Sequence, residues 1–420
     1  DKDGNISLKG KQGVQIFIDG KPSYLSGAEL VNLLSNMNAN QLDQLEIMTN
    51  PPARYDAAGN SGVINIKTKK NKQKGFNGSA TAGFSQGVYW RTNESLNLNY
   101  RNGKLNTFMN YSFNKNNGFN ELTIQRIYKD ETLKTTAVFD QVATMRRRNA
   151  NNNLKLGADY FLNQKTTIGF VATGFYNPED QDNLNTSYLK DANRTVDSIV
   201  LSAGTQKNKW KNGAINLNFR HQYDSTGREL TADADYSSYA SHSRQTFMNA
   251  NFDPAWVKRG QFDLISDLPV DINIYSAKVD YTHPFKKGWK LETGVKSSFV
   301  NTDNSANYFN VVNGSNTVDA DKTNRFTYEE NINAGYLNVQ QQVKKLGIQL
   351  GVRVEQTTVK GNQLAQSKTF EKEYTKVFPT AYFSYKATET STFGLSYGRR
   401  IERPGYQDLN PFQYLLDRYT

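Results

Sequence analysis

The 420-residue chain contains no cysteine. That excludes a disulfide framework and a thiolate metal site, and leaves the compartment open. Its three histidines, His221, His242 and His283, are scattered without metal-ligand spacing. No stretch approaches the roughly 18 consecutive apolar residues of a membrane helix. No glycine-rich loop stands before a helix to cradle phosphate, because the Gly59–Gly62 segment leads into a strand pattern. No leader peptide is visible, and the chain opens at Asp1-Lys2-Asp3-Gly4. The expectation is a natural start further upstream, not a cytoplasmic protein.

What remains is modest in apolar content, at 37% hydrophobic residues, with a mean hydropathy of −0.72. A membrane β-barrel also averages out this way, because only alternate residues face lipid. The 24 tyrosines and 23 phenylalanines suit the aromatic girdles of such a barrel. The formal charge of +11 raises nucleic acid as a partner. The basic residues are spread over strands and loops and line no single helix, so no nucleic-acid partner is expected.

From about Asn77 onward, segments of roughly ten residues alternate apolar and polar, as transmembrane strands require. In 346–355, Leu346, Ile348, Leu350, Val352 and Val354 face one way. Gly347, Gln349, Gly351, Arg353 and Glu355 face the other. Tight turns at Asn102-Gly103, Asn163-Gln164-Lys165, Ser225-Thr226-Gly227, Lys286-Lys287-Gly288, Lys344-Lys345 and Ala387-Thr388-Glu389 alternate with polar stretches. Those stretches, near 116–148, 178–209, 241–269, 302–329 and 359–375, are expected to be long loops. Short turns on one side and long loops on the other are the asymmetry of an outer-membrane barrel. The pattern yields about thirteen strands between 78 and 401, an odd number where bacterial barrels close with an even one.

Residues 13–68 read differently. Val14, Ile16 and Ile18 suit a strand with one buried face. Asp19-Gly20-Lys21-Pro22 is a turn. Ser26 and Glu29 form a capping box for a helix whose apolar face is Leu30, Leu33, Leu34 and Met37. Leu42, Leu45, Ile47 and Met48 predict a second buried segment, ended by Asn50-Pro51-Pro52. A small-residue loop, Tyr55 to Gly62, leads into a last strand of Val63, Ile64 and Ile66.

The run LEIMTNPPARYDAAGNSGVINIKTK, residues 45–69, together with the preceding apolar strand ending in IDGKP, resembles the plug domain of TonB-dependent outer-membrane receptors. Arg403, Pro404, Tyr406, Asn410 and Pro411 fall in a run similar to a loop motif found well inside the barrel of that family. The resemblance covers essentially the whole chain. It implies an all-β antiparallel membrane barrel, wide and of the 22-stranded type, with a small N-terminal α/β plug domain. On it, 1–72 is the C-terminal part of the plug and 77–420 the N-terminal part of the barrel. With about thirteen strands present, the chain reads as an internal fragment. The site residues it implies at the plug turn and plug–barrel junction are Asp19, Gly20, Pro22, Pro52, Arg54, Tyr55, Gly59, Gly62 and Asn65.

The function implied is energy-coupled import of a scarce nutrient (siderophore, vitamin, oligosaccharide or peptide) across the outer membrane. The partners implied are outer-membrane lipid, an extracellular ligand, and a TonB-type coupling complex acting through the absent plug N-terminus. A non-transporting structural or adhesive barrel stays open, as does a soluble β-rich carbohydrate-binding or hydrolytic protein. Neither an enzyme nor a cofactor is expected. Gly394-Leu395-Ser396-Tyr397-Gly398 has the spacing of a hydrolase elbow, but alternation runs straight through it as in a strand. Asp319 and Asp321 with Asn316 and Asn324 read as a solvated loop, and Asp233 and Asp235 as lumen-facing carboxylates.

Three structural expectations follow. Gly59 and Gly62 hold a turn at positive φ. Arg353 and Glu355 point into the lumen while the 346–354 apolar set meets lipid, so Arg costs about 2–4 kcal/mol at position 350 and much less at 351. The sheet is open and curved around the N-terminal unit, its first and last strands unpaired with each other.

Overall fold

The computed structural model describes residues 6–8, 13–23, 30, 34, 37, 42–59, 61–68, 74–312, 314–364 and 367–403. They form two sheets.

The smaller holds β1 (Gln15–Ile18), β2 (Lys21–Pro22), β3 (Leu42–Met48) and β4 (Val63–Thr68), in the order β2-β1-β4-β3. β1 runs parallel to β4, and the other pairs are antiparallel. A parallel pair needs a long crossover, and Leu30 and Leu34 are helical within it. Ser26, Glu29 and Leu33 lie outside the described residues. The core is Phe17, Tyr55 and Val63, with Met48 packed against them. The Phe17 and Tyr55 rings meet edge-on, with centroids 5.1 Å apart.

Two expectations need correction here. Ile16 and Phe17 are both buried, so β1 is covered on both faces instead of one. Leu45 and Ile47 are exposed, because β3 is the edge strand and only its Met48 end reaches the core.

The larger sheet has 14 strands. They are β5 (Gly75–Gln86), β6 (Trp90–Asn102), β7 (Leu105–Lys129), β8 (Thr135–Phe161), β9 (Thr166–Asp191), β10 (Val196–Gln222) and β11 (Glu229–Phe252). Then follow β12 (Lys258–Pro284), β13 (Trp289–Val312), β14 (Ser315–Val318), β15 (Asn324–Val343), β16 (Leu346–Gln363), β17 (Lys368–Lys386) and β18 (Thr392–Gly398). All pairs are antiparallel between neighbours in the chain, except that the short β14 hangs off β13 and β13 pairs directly with β15. Setting β14 aside, the path has the expected thirteen strands. Among the described residues β5 and β18 do not pair with each other, so the sheet is open.

The stretches expected as long loops are mostly strand. β8 and β10 are 27 residues each, about 90 Å at 3.3 Å per residue, whereas about 9–11 tilted residues cross a bilayer. Their turns are short: Asp130 and Lys134 close one end of β7–β8, and Asp191 and Thr195 close β9–β10. The sequence pattern failed there for a physical reason. Past the lipid band the outward positions turn polar, as at Asp180, Asp182, Lys207, Lys209 and Arg244, while the backbone ladder continues unchanged.

Faces follow from register. Directly paired residues share a face. Arg353 pairs with Tyr336, then Gly294, Asp280, Thr231, Arg220, Thr167 and Phe161 across successive strands. Leu350, Val352 and Val354 lie on the opposite, exposed face, and Arg353 and Glu355 are 2% and 1% exposed.

Candidate functional site

Among the described residues, charged side chains on the inner wall meet the small sheet at two places. The first is a turn. Asp19 has φ 52° and Gly20 φ 86°, the left-handed conformation that a tight reversal between β1 and β2 requires. Asp19 accepts hydrogen bonds from the Thr68 backbone N–H at 2.8 Å and the Thr68 hydroxyl at 2.7 Å. Lys155 Nζ, on β8, reaches the same carboxylate at 2.8 Å and the Thr68 hydroxyl oxygen at 2.9 Å. Asn65 is nearly fully buried behind this turn: it accepts from Gly20 N–H at 2.8 Å and donates to Glu46 at 2.6 Å. Burial alone would raise the Asp19 carboxyl, but Lys155 and the Thr68 donors outweigh it and hold it below the usual carboxylate range.

The second place is the loop between β3 and β4. Pro52 O accepts from Tyr55 N–H, which closes a turn. Arg54 lies over the Tyr55 ring, 5.0 Å from its centroid, and donates to its hydroxyl at 3.0 Å. Asp56 then faces the wall. It binds Lys296 on β13 at 2.5 Å and Arg353 on β16 at 3.0 Å. Glu355 accepts from Ala57 N–H at 3.1 Å and Arg353 Nε at 2.5 Å, and its other oxygen takes Arg403 at 2.6 Å. Past β18, Arg400 donates to the backbone carbonyls of Asp56, Ala58 and Gly59 at 2.6, 3.0 and 2.8 Å. Ile401 forms a parallel bridge with Ala58. Burial pushes the Asp56 carboxyl up, yet Lys296 and Arg353 prevail and hold it well below its ordinary range.

Gly59 and Gly62 have φ of 91° and 120°. A Cβ at Gly62 would lie 2.4 Å from Met48 O, so the loop both turns and passes close to β3 there.

The residues singled out in the sequence do not form one constellation. Asp19, Gly20 and Asn65 cluster at the Lys155 contact, with Pro22 ending β2 beside it. Pro52, Arg54, Tyr55 and Gly59 belong to the loop at the second contact, and Gly62 leads from it into β4. Arg403 joins that contact through Glu355. Pro404, Tyr406, Asn410 and Pro411 lie outside the described residues. Asp56, Lys155, Lys296 and Arg400 were not singled out, although a charge at an inward strand position is a readable signal for the two lysines.

The other chemical candidates find local partners. Gly394–Gly398 lies within β18, with no strand–turn–helix. Asp319 binds Lys322 at 2.5 Å and Asn310 at 3.2 Å. Asp233 and Asp235 both approach Asn216. Among the described residues no group of three or more potential ligands could hold a metal.

Residues 221–420 match the model of the outer membrane protein beta-barrel family. No curated protein sequence is significantly similar to the chain. Among solved structures, the ferric citrate transporter FecA in its unliganded form is 13% identical, with a TM-score of 0.56, over 93% of this chain and 55% of that one. The chain therefore spans about half the length of that transporter. The open form of the ferric-catecholate import receptor Fiu from E. coli K12 is 13% identical over 93% of this chain and 79% of its own, with a TM-score of 0.37. An arginine-to-alanine mutant of the ferric enterobactin receptor PfeA from Pseudomonas aeruginosa, in complex with enterobactin, is 9% identical over 91% of this chain and 85% of its own, with a TM-score of 0.29. Residues 221–420 thus match an outer-membrane β-barrel family, and the chain as a whole shares its fold with the ferric citrate transporter. This fold is that of the TonB-dependent receptor family, and the chain's place is the outer membrane.

Proposed function

We propose that the chain is the plug-and-barrel portion of an outer-membrane receptor that imports a scarce nutrient. Residues 1–72 are the C-terminal part of the plug and 77–420 part of the barrel. An inner-membrane coupling complex moves the plug through its upstream segment. The protein acts as a receptor and not as an enzyme.

The observation that carries this reading is the character of the contact. The small sheet keeps its own core, and the contacts described above between it and the wall are ion pairs and hydrogen bonds. Polar contacts can be exchanged for water when the unit shifts, whereas a shared apolar core would resist separation.

These 420 residues hold no cysteine, so a single disulfide can be placed within them as a test. Ala58 and Ile401 face each other across a backbone bridge. In cells carrying the complete protein, the double variant Ala58→Cys/Ile401→Cys should bind ligand at the surface when oxidised, but take it up only after reduction. Uptake that persists with the disulfide fully formed would refute a moving plug. It would favour a static barrel with a structural or adhesive role.

A further inference from the structure

The same register orders the outer face of the large sheet. On β7 the outward positions are Leu105, Thr107, Met109, Tyr111 and Phe113, and the next is Lys115. On β8 they are Tyr160, Ala158, Leu156, Leu154, Asn152 and Ala150, and the next is Arg148. On β9 they run from Ile168 to Pro178, and Asp180 follows. On β10 Phe219, Leu217, Ile215 and Gly213 come before Lys211. Asn152 belongs to its run because it accepts the Tyr111 hydroxyl at 2.8 Å, as Asn273 on β12 accepts that of Tyr236 at 3.1 Å. The runs on β7, β8 and β9 match the about 9–11 tilted residues that cross a bilayer. The first charges past them therefore stand at the level of lipid headgroups. They lie on the side of the long hairpins, which such barrels turn away from the periplasm.

Charge of one sign collects on one part of this level. In the first three outward positions past the apolar runs, β6 to β11 carry Lys115, Arg146, Arg148, Lys207, Lys209, Lys211 and Arg244 against Glu94, Asp180 and Asp182. The same positions on β12, β13 and β15 to β17 carry Lys360 against Asp267, Asp271, Asp303, Glu329, Glu371 and Glu373. Among the described residues, Arg148 is the one of the seven cations that has a carboxylate partner, Asp182 at 2.8 Å. Lys207, Lys209 and Lys211 stand at alternate positions of one strand, all exposed, and repel one another.

The same level holds a pocket. An open hollow of about 360 Å³ on the outer wall is lined by Trp90, Lys115, Asn117, Arg148, Pro178 and Asp180, with Asn149 and Ala150 completing it. Asn117, Arg148 and Asp180 share a rung of the ladder, and the Asn117 amide donates to the Trp90 carbonyl at 3.0 Å. The Lys115 ammonium lies 4.8 Å from the centroid of the Trp90 ring, and Arg146 lies 4.6 Å from that of Tyr89. Tryptophan and tyrosine settle at the membrane–water interface, with an apolar body and a polar tip. Two cations beside such a ring offer a phosphate group charge and hydrogen-bond donors, and the apolar runs below offer acyl chains a surface. The outer leaflet of an outer membrane supplies both on one molecule, a phosphorylated glycolipid.

We propose that the β6–β11 side of the outer wall binds this glycolipid through its phosphates, one of them held by Lys115 and Arg148 beside Trp90. Lys207, Lys209 and Lys211, two strands from Arg148 and about 10 Å along the rung, take a further phosphate. The acidic β12–β17 side repels the same groups, so the lipid gathers on one side of the barrel. The proposal concerns the outer surface and holds whichever ligand the lumen takes.

The test uses the complete protein in a neutral detergent and titrations followed by native mass spectrometry. The probes are bisphosphorylated lipid A, the same lipid stripped of both phosphates, and inorganic phosphate. The bisphosphorylated lipid should bind about tenfold or more tighter than the stripped one. Lys115→Ala/Arg148→Ala and, separately, Lys209→Gln/Lys211→Gln should each weaken it about tenfold, and Lys360→Gln, on the acidic side, not at all. Equal thermal midpoints establish that the variants fold. The second pair changes two exposed side chains, and it decides alone if the first does not fold. The proposal is overturned if the two lipids bind alike, if the folded pairs bind as the parent does, or if Lys360→Gln weakens binding as much as they do. Inorganic phosphate that displaces the lipid at equal concentration would make this a site for a free anion instead. Self-association that both pairs abolish, with no preference between the lipids, would assign the face to a second copy of the chain.

Discussion

Replacing Asp56 by Ala is the sharpest perturbation of the contact between the small sheet and the wall. Two carboxylates, Asp56 and Glu355, are bonded to three cations, Lys296, Arg353 and Arg403. All five are well buried, with side-chain exposures from 1% to 15%. The substitution removes the carboxylate that Lys296 and Arg353 share. Removing one partner of a buried ion pair costs about 3–5 kcal/mol, chiefly because the remaining charge stays desolvated. The exposed pair Lys67–Glu46 is the control, at 3.8 Å with both side chains 36% exposed. Lys67→Ala should cost about 0–1 kcal/mol. Hydrogen exchange of the 42–68 backbone amides, in the complete protein reconstituted in lipid discs, reads the local opening energy. Asp56→Ala should raise exchange there by two or more orders of magnitude while the β8–β12 ladder stays protected. If Asp56→Ala and Lys67→Ala raise exchange alike, the ion cluster does not hold the unit and the reasoning fails.

Three further outcomes are expected. Gly62→Val puts a branched side chain at φ 120° with a Cβ 2.4 Å from Met48 O, and should destabilise the small sheet by more than about 1 kcal/mol in the same exchange measurement. Leu350→Arg faces lipid and should cost about 2–4 kcal/mol in refolding into bilayers. Position 351 is no longer a fit comparison, because a Cβ there would meet Ala53 Cβ and Asn338 Oδ1, each at 2.9 Å; Gln349→Arg, also inward, should cost less than half as much as Leu350→Arg. The carboxyls of Asp19 and Asp56 are held low, so their stabilisation is complete above the unfolded value of about 3.9 and lost as pH falls from there toward the folded values. Exchange of 42–68 should therefore be level from pH 5 to 8, after correction for intrinsic rates, and rise only below about 4; a step near pH 6 would point to a different group.

Strand identity was legible in 346–355 because lipid outside and charge inside impose strict alternation on neighbouring residues, and that constraint is local. The turns at Asn102-Gly103 and Lys344-Lys345 were legible for the same reason: turn chemistry acts within four residues. The positive φ of Gly59 and Gly62 follows likewise from a small-residue loop that enters a strand. The length of β8 and β10 was not legible, since a backbone ladder in water makes no demand on side-chain hydropathy. Nor was the burial of Asp56, which in sequence is one polar residue in a polar loop. Its partners stand 240 and 297 residues away, on strands brought to it only by the curvature of the sheet. By itself, then, the sequence determined which residues of a strand share a face and where the short turns on one side fall, because those properties depend on near neighbours. The tertiary structure alone decided which charges meet across the lumen and which amides share a rung, because those depend on register accumulated over many strands.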